Sequence, residues 1–406
     1  MKITALRTLR LRQYPNLTFV AVETDEGLTG LGETFFGSRA VAAWVHETAA
    51  SCLLGQDPLD VERHAASLQP FVGFAGTGVE NRGRSAIDIA LWDLLAQRAD
   101  MPLYRLLGGL TRDSVRIYNT CAGPTYVRAA PRLPDLPTDN WIADAERRPG
   151  AGYSDLQAFL TDAGALAEEL LAEGITAMKI WPFDPIAERT GGHAISLEEL
   201  KQGLEPFRRV REAVGGTMEL LAELHSKWDL PAAIKIARAL EEYEPSWIED
   251  PLRMNCLDAL AEFAASTQVP VAASETVATA RGFRELIEHG GVHVVLFDPA
   301  WMGGITEARK VIALADARQL PVAPHDCAGP VNFAVGVHLT VSAPNAFIQE
   351  GVRAFYRGWY RELVTELPAV SGGHVTPIHA AGIGTRLRPE VWQRPDAEVE
   401  VSSWTG

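Results

Sequence analysis

Six ionisable residues each close an apolar run in the second half of the chain: Glu223, Glu249, Glu275, Asp298, His325 and Glu350. Their spacings are 26, 26, 23, 27 and 25 residues. One strand, one helix and two loops take about that many residues, so the ladder places one such group per βα unit, all at the C-terminal mouth of a barrel. A charge at the end of a buried strand is costly unless it is paired or binds a metal. Three carboxylates converging at one site would repel each other strongly. A divalent cation removes that repulsion, and an all-oxygen ligand set favours Mg²⁺ or Mn²⁺. Any one of the six alone reads as an ordinary strand-end group facing solvent; six in phase do not.

Two more positions join by strand parity. His225 lies two residues after Glu223, so on an extended strand both side chains point the same way. Lys179 and Trp181, in MKIWPFD, share a face on the preceding strand. Cys327, two residues past His325, has no evident basic partner and reads as a bystander; Glu33 reads as well as a structural charge as a functional one.

These groups need a frame of alternating strands and helices. After residue 114, short apolar runs alternate with amphipathic segments such as Leu230–Tyr243 and Ile305–Ala317. The runs are Val115–Cys121, Ala177–Trp181, Met218–Leu224, Ser246–Glu249, Val269–Ala273, Val292–Phe297, Leu320–Ala323 and Ala346–Gln349. This pattern predicts a (β/α) barrel, not a doubly wound sheet, for which no GxGxxG turn is present. Residues 1–36 read as strands, with a hairpin turning at Asp25-Glu26-Gly27. Ala40 to about Gln69 reads as helical, Phe71–Gly78 as a glycine-rich loop, and Gly83–Leu95 as a helix with Ile87, Leu91, Leu94 and Leu95 on its apolar face. Two connections are long. Gly123–Asp155 carries Arg128, Arg132, Arg147 and Arg148, and Phe183–Glu198 carries Arg189 and His193. Both follow strands, so both are expected on the active-site rim as lids.

Composition narrows the function classes. The 406 residues carry 37 Lys and Arg against 52 Asp and Glu, a net charge of −15 that disfavours nucleic acid and anionic membranes as partners. Four cysteines without a CxxC pair predict reduced thiols, not a disulfide framework or a thiolate zinc site. The first residues, MKITALRTLRLRQYP, alternate apolar and polar positions, so no signal peptide is expected, and no apolar run is long enough to span a membrane. A cytoplasmic location is the expectation.

Several stretches resemble the enolase superfamily, in its mandelate racemase/muconate lactonizing enzyme family and sugar-acid dehydratase branch. They are SAIDIALWDLLAQRADMPLYRLLGG (Ser85–Gly109), WIEDP (Trp247–Pro251), SETV around Glu275, FDPAWMGGITEARKVIALA (Phe297–Ala315), APHDCAGPV (Ala323–Val331) and APNAFIQE (Ala343–Glu350). The last two are especially similar to galactonate-dehydratase-like members. The resemblance implies an α/β fold: a modified (β/α)7β TIM-like barrel over residues 113–369, closed by an N-terminal α+β capping domain over 1–112 that part of the C-terminal tail, 370–406, joins.

Residue by residue, it gives Glu223, Glu249 and Glu275 the places of the metal ligands, for one Mg²⁺ per subunit with Mn²⁺ as the substitute. His325 and Asp298 take the places of the His–Asp dyad, Glu350 that of the substrate-carboxylate-contacting acid on the last strand, and Lys179 that of the first lysine of a KxK motif. The sequence departs where Glu223 stands for a more usual Asp, and where Trp181 replaces the second lysine and becomes a substrate-contacting residue. His225 matches a histidine of galactonate-dehydratase-like members.

The implied chemistry is dehydration of an aldonic or aldaric acid. His325, oriented by Asp298, takes the α-proton; the metal and Lys179 stabilise the enediolate; His225 protonates the leaving β-hydroxyl, and a 2-keto-3-deoxy acid forms. Specificity is expected from the cap (Arg12–Leu17, Thr34–Arg39, Phe71–Asn81) and from one of Arg128, Arg147, Arg148 or Arg189. The family also implies a homo-oligomer, dimer or octamer. The rival readings are a racemase or epimerase of a 2-hydroxy or amino acid derivative, which needs two opposed bases, and a non-catalytic regulator retaining the fold.

Overall fold

The protein is described here by a computed structural model covering residues 1–69, 76–124, 126 and 154–406. Three N-terminal strands, β1 (Ile3–Leu11), β2 (Tyr14–Thr24) and β3 (Thr29–Phe35), form an antiparallel meander. Gly27, at φ 78°, lets the chain reverse between β2 and β3. One face of the meander is covered by the 20-residue helix Val79–Arg98. Gly32 allows the closest approach, since a Cβ there would run into the carbonyl of Ala86.

Eight parallel strands follow: β4 (Val115–Thr120), β5 (Ala177–Ile180), β6 (Glu219–Glu223), β7 (Trp247–Glu249), β8 (Val271–Ala273), β9 (Val294–Phe297), β10 (Val322–Pro324) and β11 (Gln349–Gly351). Helices connect them, and the ring closes through β11 on β4 and a parallel bridge between Val322 and Ala346. The last strand begins three residues later than the apolar run Ala346–Gln349 suggests, because Ala346 is spent on that bridge. Tyr118, Ala177, Leu221, Trp247, Ala272, Leu296, Ala323 and Ile348 fill the barrel as a separate buried cluster. Two residues beyond these stand Thr120, Lys179, Glu223, Glu249, Asp298, His325 and Glu350, so strand parity lifts each onto the floor of the C-terminal mouth. Glu275 departs from parity by one residue, which lengthens the spacing before it to 26 and shortens the one after it to 23.

The tail folds back in two parts. The hairpin β12 (Ala369–Ser371) and β13 (His374–Thr376) adds antiparallel to β4, whereas β14 (Ala397–Ser403) pairs with β1 at the edge of the meander. The segment read as one helix from Ala40 to Gln69 is instead broken. It runs as Ser38–Trp44, a π turn at Val45–Ala49, Ala50–Leu53 and, after Gly55 at φ 78°, Val61–Ser67.

The helix Val79–Arg98 also grips the turn after β9. Asn81 Nδ2 donates to Trp301 O (2.6 Å), Gly303 N to Ser85 Oγ (2.8 Å), Thr306 N to Asp88 Oδ2 (2.9 Å) and Trp92 Nε1 to Thr306 Oγ1 (2.9 Å). Thr34 Oγ1 of β3 adds a bond to Ala300 O (2.7 Å). That turn begins at Asp298, so the N-terminal unit fixes part of the barrel mouth.

Candidate active site

The mouth of the barrel holds a dense set of buried charges. One oxygen from each of Glu223, Glu249 and Glu275 lies within 4.8 Å of the others, on the ends of three successive strands. Lys179 Nζ sits against the cluster, 2.6 Å from Glu249 Oε1, 3.0 Å from Glu350 Oε1 and 3.3 Å from Glu223 Oε2. Burial alone would lower the Lys179 pKa, but Glu249, Glu350 and Glu223 outweigh it and hold the ammonium firmly charged. One lysine cannot balance all these acids. Burial and Glu223 push Glu249 well above the carboxylate range, and burial, against the pull of Lys179, pushes Glu223 up to about 7. Among the described residues, the buried Glu223 Oε2 has the Lys179 ammonium at 3.3 Å beside it and no hydrogen-bond donor. Three converging carboxylates in a site short of positive charge fit a divalent cation.

Across the floor, His325 Nδ1 bonds Asp298 Oδ2 at 2.7 Å, and its Nε2 lies 2.9 Å from Glu275 Oε2. Asp298 is fully buried and its other oxygen accepts the Ala300 N–H at 2.7 Å. Asn332 braces the pair, donating to His325 O (3.2 Å) and accepting from Ala300 N (3.1 Å). A buried carboxylate holding one imidazole nitrogen leaves the other to exchange a proton with a ligand. Glu350 accepts from Asp326 N at 2.8 Å and from the Thr120 hydroxyl.

His225 comes into the same mouth by a different route from the one parity suggests. β6 ends at Glu223, and His225 sits in the following turn at φ 49°, with its backbone N–H donating to Glu223 Oε1 (2.6 Å). The left-handed turn, not an extended strand, aims the ring. His225 Nδ1 lies 2.9 Å from Asp184 Oδ2, a fully buried carboxylate also bound by Lys227 Nζ (2.7 Å). Burial would raise the Asp184 pKa, but His225 and Lys227 outweigh it and hold it below the usual range. Trp181 packs edge-on to His225 (5.5 Å between ring centres) and against Phe159, with its indole N–H buried and, among the described residues, without an acceptor.

Sequence reasoning missed Asp184; the only signal was an acid a few residues past the Lys179 strand end, opening a helix with Pro185 in its first turn. The other expectations sort as follows. Arg189 is exposed and pairs with Glu199. Arg128, Arg132, Arg147 and Arg148 lie outside the described residues, as do residues 70–75 of the glycine-rich loop. Cys327 is buried and its thiol is pushed up by burial, in keeping with a bystander. Glu33 is fully buried in the interface, where it accepts the N–H groups of Val331 and Asn332 (both 3.1 Å); burial pushes its carboxyl up to about 8.

Comparison with known proteins places this arrangement. The profile described as "Mandelate racemase / muconate lactonizing enzyme, N-terminal domain" matches residues 4–108, and "Enolase C-terminal domain-like" matches 162–391. A D-galactonate dehydratase of Pectobacterium atrosepticum is 29% identical, with 98% of this chain and 99% of that one aligned. A D-gluconate dehydratase of Thermoproteus tenax is 30% identical over 93% of this chain and 69% of its own. The crystal structure of an enolase of the mandelate racemase subgroup from Agrobacterium tumefaciens is 43% identical, covers 99% of both chains and superposes with a TM-score of 0.87.

Proposed function

Because this chain belongs to the mandelate racemase/muconate lactonizing enzyme family of the enolase superfamily, we propose that it is a sugar-acid dehydratase. The reaction removes the proton α to the carboxylate of an aldonic or aldaric acid and releases the β-hydroxyl as water, giving a 2-keto-3-deoxy acid. The observation that carries this reading is the pair of carboxylate-backed histidines. His325 follows β10 and His225 follows β6. Those strands are four apart in a ring of eight, so the two rings face each other across the mouth.

In this reading Glu223, Glu249 and Glu275 hold a divalent ion, Mg²⁺ or Mn²⁺ by the hardness of its ligands. When bound, that ion supplies Lewis-acid stabilisation of charge on the substrate carboxylate. Lys179 adds a fixed positive charge at the same place. His325 Nε2 takes the α-proton, with Asp298 holding Nδ1 and supporting the imidazolium that forms. On the opposite side His225, held through Nδ1 by Asp184, delivers a proton to the departing hydroxyl. Trp181 and Glu350 contact the substrate from the arc of strand ends that runs from β10 through β11, β4 and β5 to β6. Residues 1–112, joined by part of the tail 370–406, act as the cap and 113–369 as the barrel. The pairing of β14 with β1 supports that division.

Two opposed histidines would also serve a racemase, so the roles must be separated. His225→Asn should lower water release on the order of 10²-fold or more, while His325 continues to exchange the C2 proton with deuterated solvent. Proton NMR of the substrate pool and a keto-acid assay read both. Undiminished dehydration by the variant would show that His225 is not the leaving-group acid.

A further inference from the structure

Arg82 stands on the first turns of the helix Val79–Arg98, beside the barrel mouth. Its guanidinium lies over the Trp301 ring, 4.6 Å from the ring centre, and 5.6 Å from that of Phe36. Nη1 donates to the carbonyl of Phe35 (2.6 Å). Among the described residues this is its one hydrogen bond, and no carboxylate pairs with it. Burial pushes its pKa down to about 10, while the fields of Asp298 and Glu275 act the other way. Trp301 is itself 5.1 Å from the His325 ring, centre to centre, and its indole N–H is buried and, among the described residues, without an acceptor.

Arginine has five N–H donors and no acceptor, and indole has one donor and no acceptor. Here one guanidinium donor is used and the indole donor is not. A partly buried guanidinium without an acid is costly in the free protein, and the cost is relieved by a ligand that brings negative charge. A hydroxyl would leave its own proton facing this donor-only wall. A carboxylate would not, and a planar carboxylate also matches the guanidinium fork. Phe36, Trp301 and the Phe35 carbonyl hold the fork in place, so little side-chain entropy is lost on binding.

We propose that Arg82 and Trp301 form a subsite for a second carboxylate, at the end of the substrate remote from the reacting carbons, and that the preferred substrate is therefore a diacid of the aldaric class. This rests on the dehydratase reading for the position of the reacting end. The two contacts, 5.1 Å from the His325 ring to that of Trp301 and 4.6 Å from the Trp301 ring to the Arg82 guanidinium, bound that separation within the reach of an extended six-carbon chain.

The test compares pairs that differ only at C6: glucarate with gluconate, and galactarate with galactonate. With the Mg²⁺-loaded enzyme the diacid of the productive pair should have the higher kcat/KM by at least about tenfold, the range of a charge-assisted hydrogen bond. Arg82→Gln should lower kcat/KM for the diacid at least about tenfold more than for its monoacid, chiefly through KM, and Arg82→Lys should recover part of the difference. Equal losses on both members of the pair, or a wild-type preference for the monoacid, would overturn the subsite. Calorimetric titration with the same acids gives a second reading that does not depend on turnover. If no sugar acid is dehydrated but glucarate or galactarate binds more tightly than its monoacid and Arg82→Gln abolishes that difference, the function fails and the subsite stands. If neither titration shows a diacid preference, the subsite fails whatever the reaction is.

Discussion

Asp298→Asn is expected to leave the barrel folded and to cost about 10²-fold or more in kcat, the scale of a dismantled general base. Asparagine keeps the shape of the buried carboxylate, and one of its two terminal atoms can still accept from the Ala300 N–H. The other terminal atom then becomes an NH₂ group facing His325 Nδ1, now 2.7 Å from an acceptor oxygen. Two donors cannot share that contact. The imidazole must turn its lone pair to Nδ1 and carry its proton on Nε2, the nitrogen that is needed to receive the α-proton. Loss should therefore appear in proton abstraction itself, as slowed C2 exchange in deuterated solvent, and not in substrate affinity. Steady-state kinetics with the exchange rate measured alongside would check it. An Asp298→Asn enzyme near the wild-type rate would mean that the proton is taken elsewhere.

Metal removal should have a larger effect still. Three carboxylates, those of Glu223, Glu249 and Glu350, surround the ammonium of Lys179, and a Glu275 oxygen lies within 4.8 Å of oxygens of the first two. A chelator should abolish turnover, and Mg²⁺ should restore it. Ligation should also stabilise the fold by mass action, about 2.7 kcal/mol at a hundredfold excess over Kd, so the melting temperature should rise with Mg²⁺. Glu249→Gln removes one ligand oxygen's charge and should lose the activity and most of that rise together. A melting temperature indifferent to Mg²⁺, with activity surviving exhaustive chelation, would exclude these three glutamates as a catalytic metal site.

The site was largely legible in the sequence because a barrel repeats. Each βα unit has a similar length, each strand buries a short apolar run, and parity carries the residue two beyond the inward core position to the mouth. Leu221 and Glu223, Trp247 and Glu249, and Ala323 and His325 all obey it. What escaped depended on turns and on contacts far apart in the chain. His225 is aimed by a left-handed residue, and nothing in LAELHSKW marks a positive φ. Asp184 matters because Lys227 and His225, some forty residues on, close over it. Arg82 was passed over because the helix was read for its apolar face. Its polar residues Asn81, Ser85 and Asp88 instead clamp the turn after β9. The alternation in AEVEVSS gives a strand, but its partner lies at the opposite end of the chain, where Arg10 pairs with Glu398.

The most direct measurement of the central claim is to run the wild-type, Mg²⁺-loaded enzyme on aldonic and aldaric acids in deuterated water and read the products by NMR. Base, metal site and opposed acid together predict a 2-keto-3-deoxy acid from at least one of them, with one solvent deuterium at C3, where the enol is protonated after water has left. Deuterium at C2 with every hydroxyl retained would contradict the account and make the protein an epimerase.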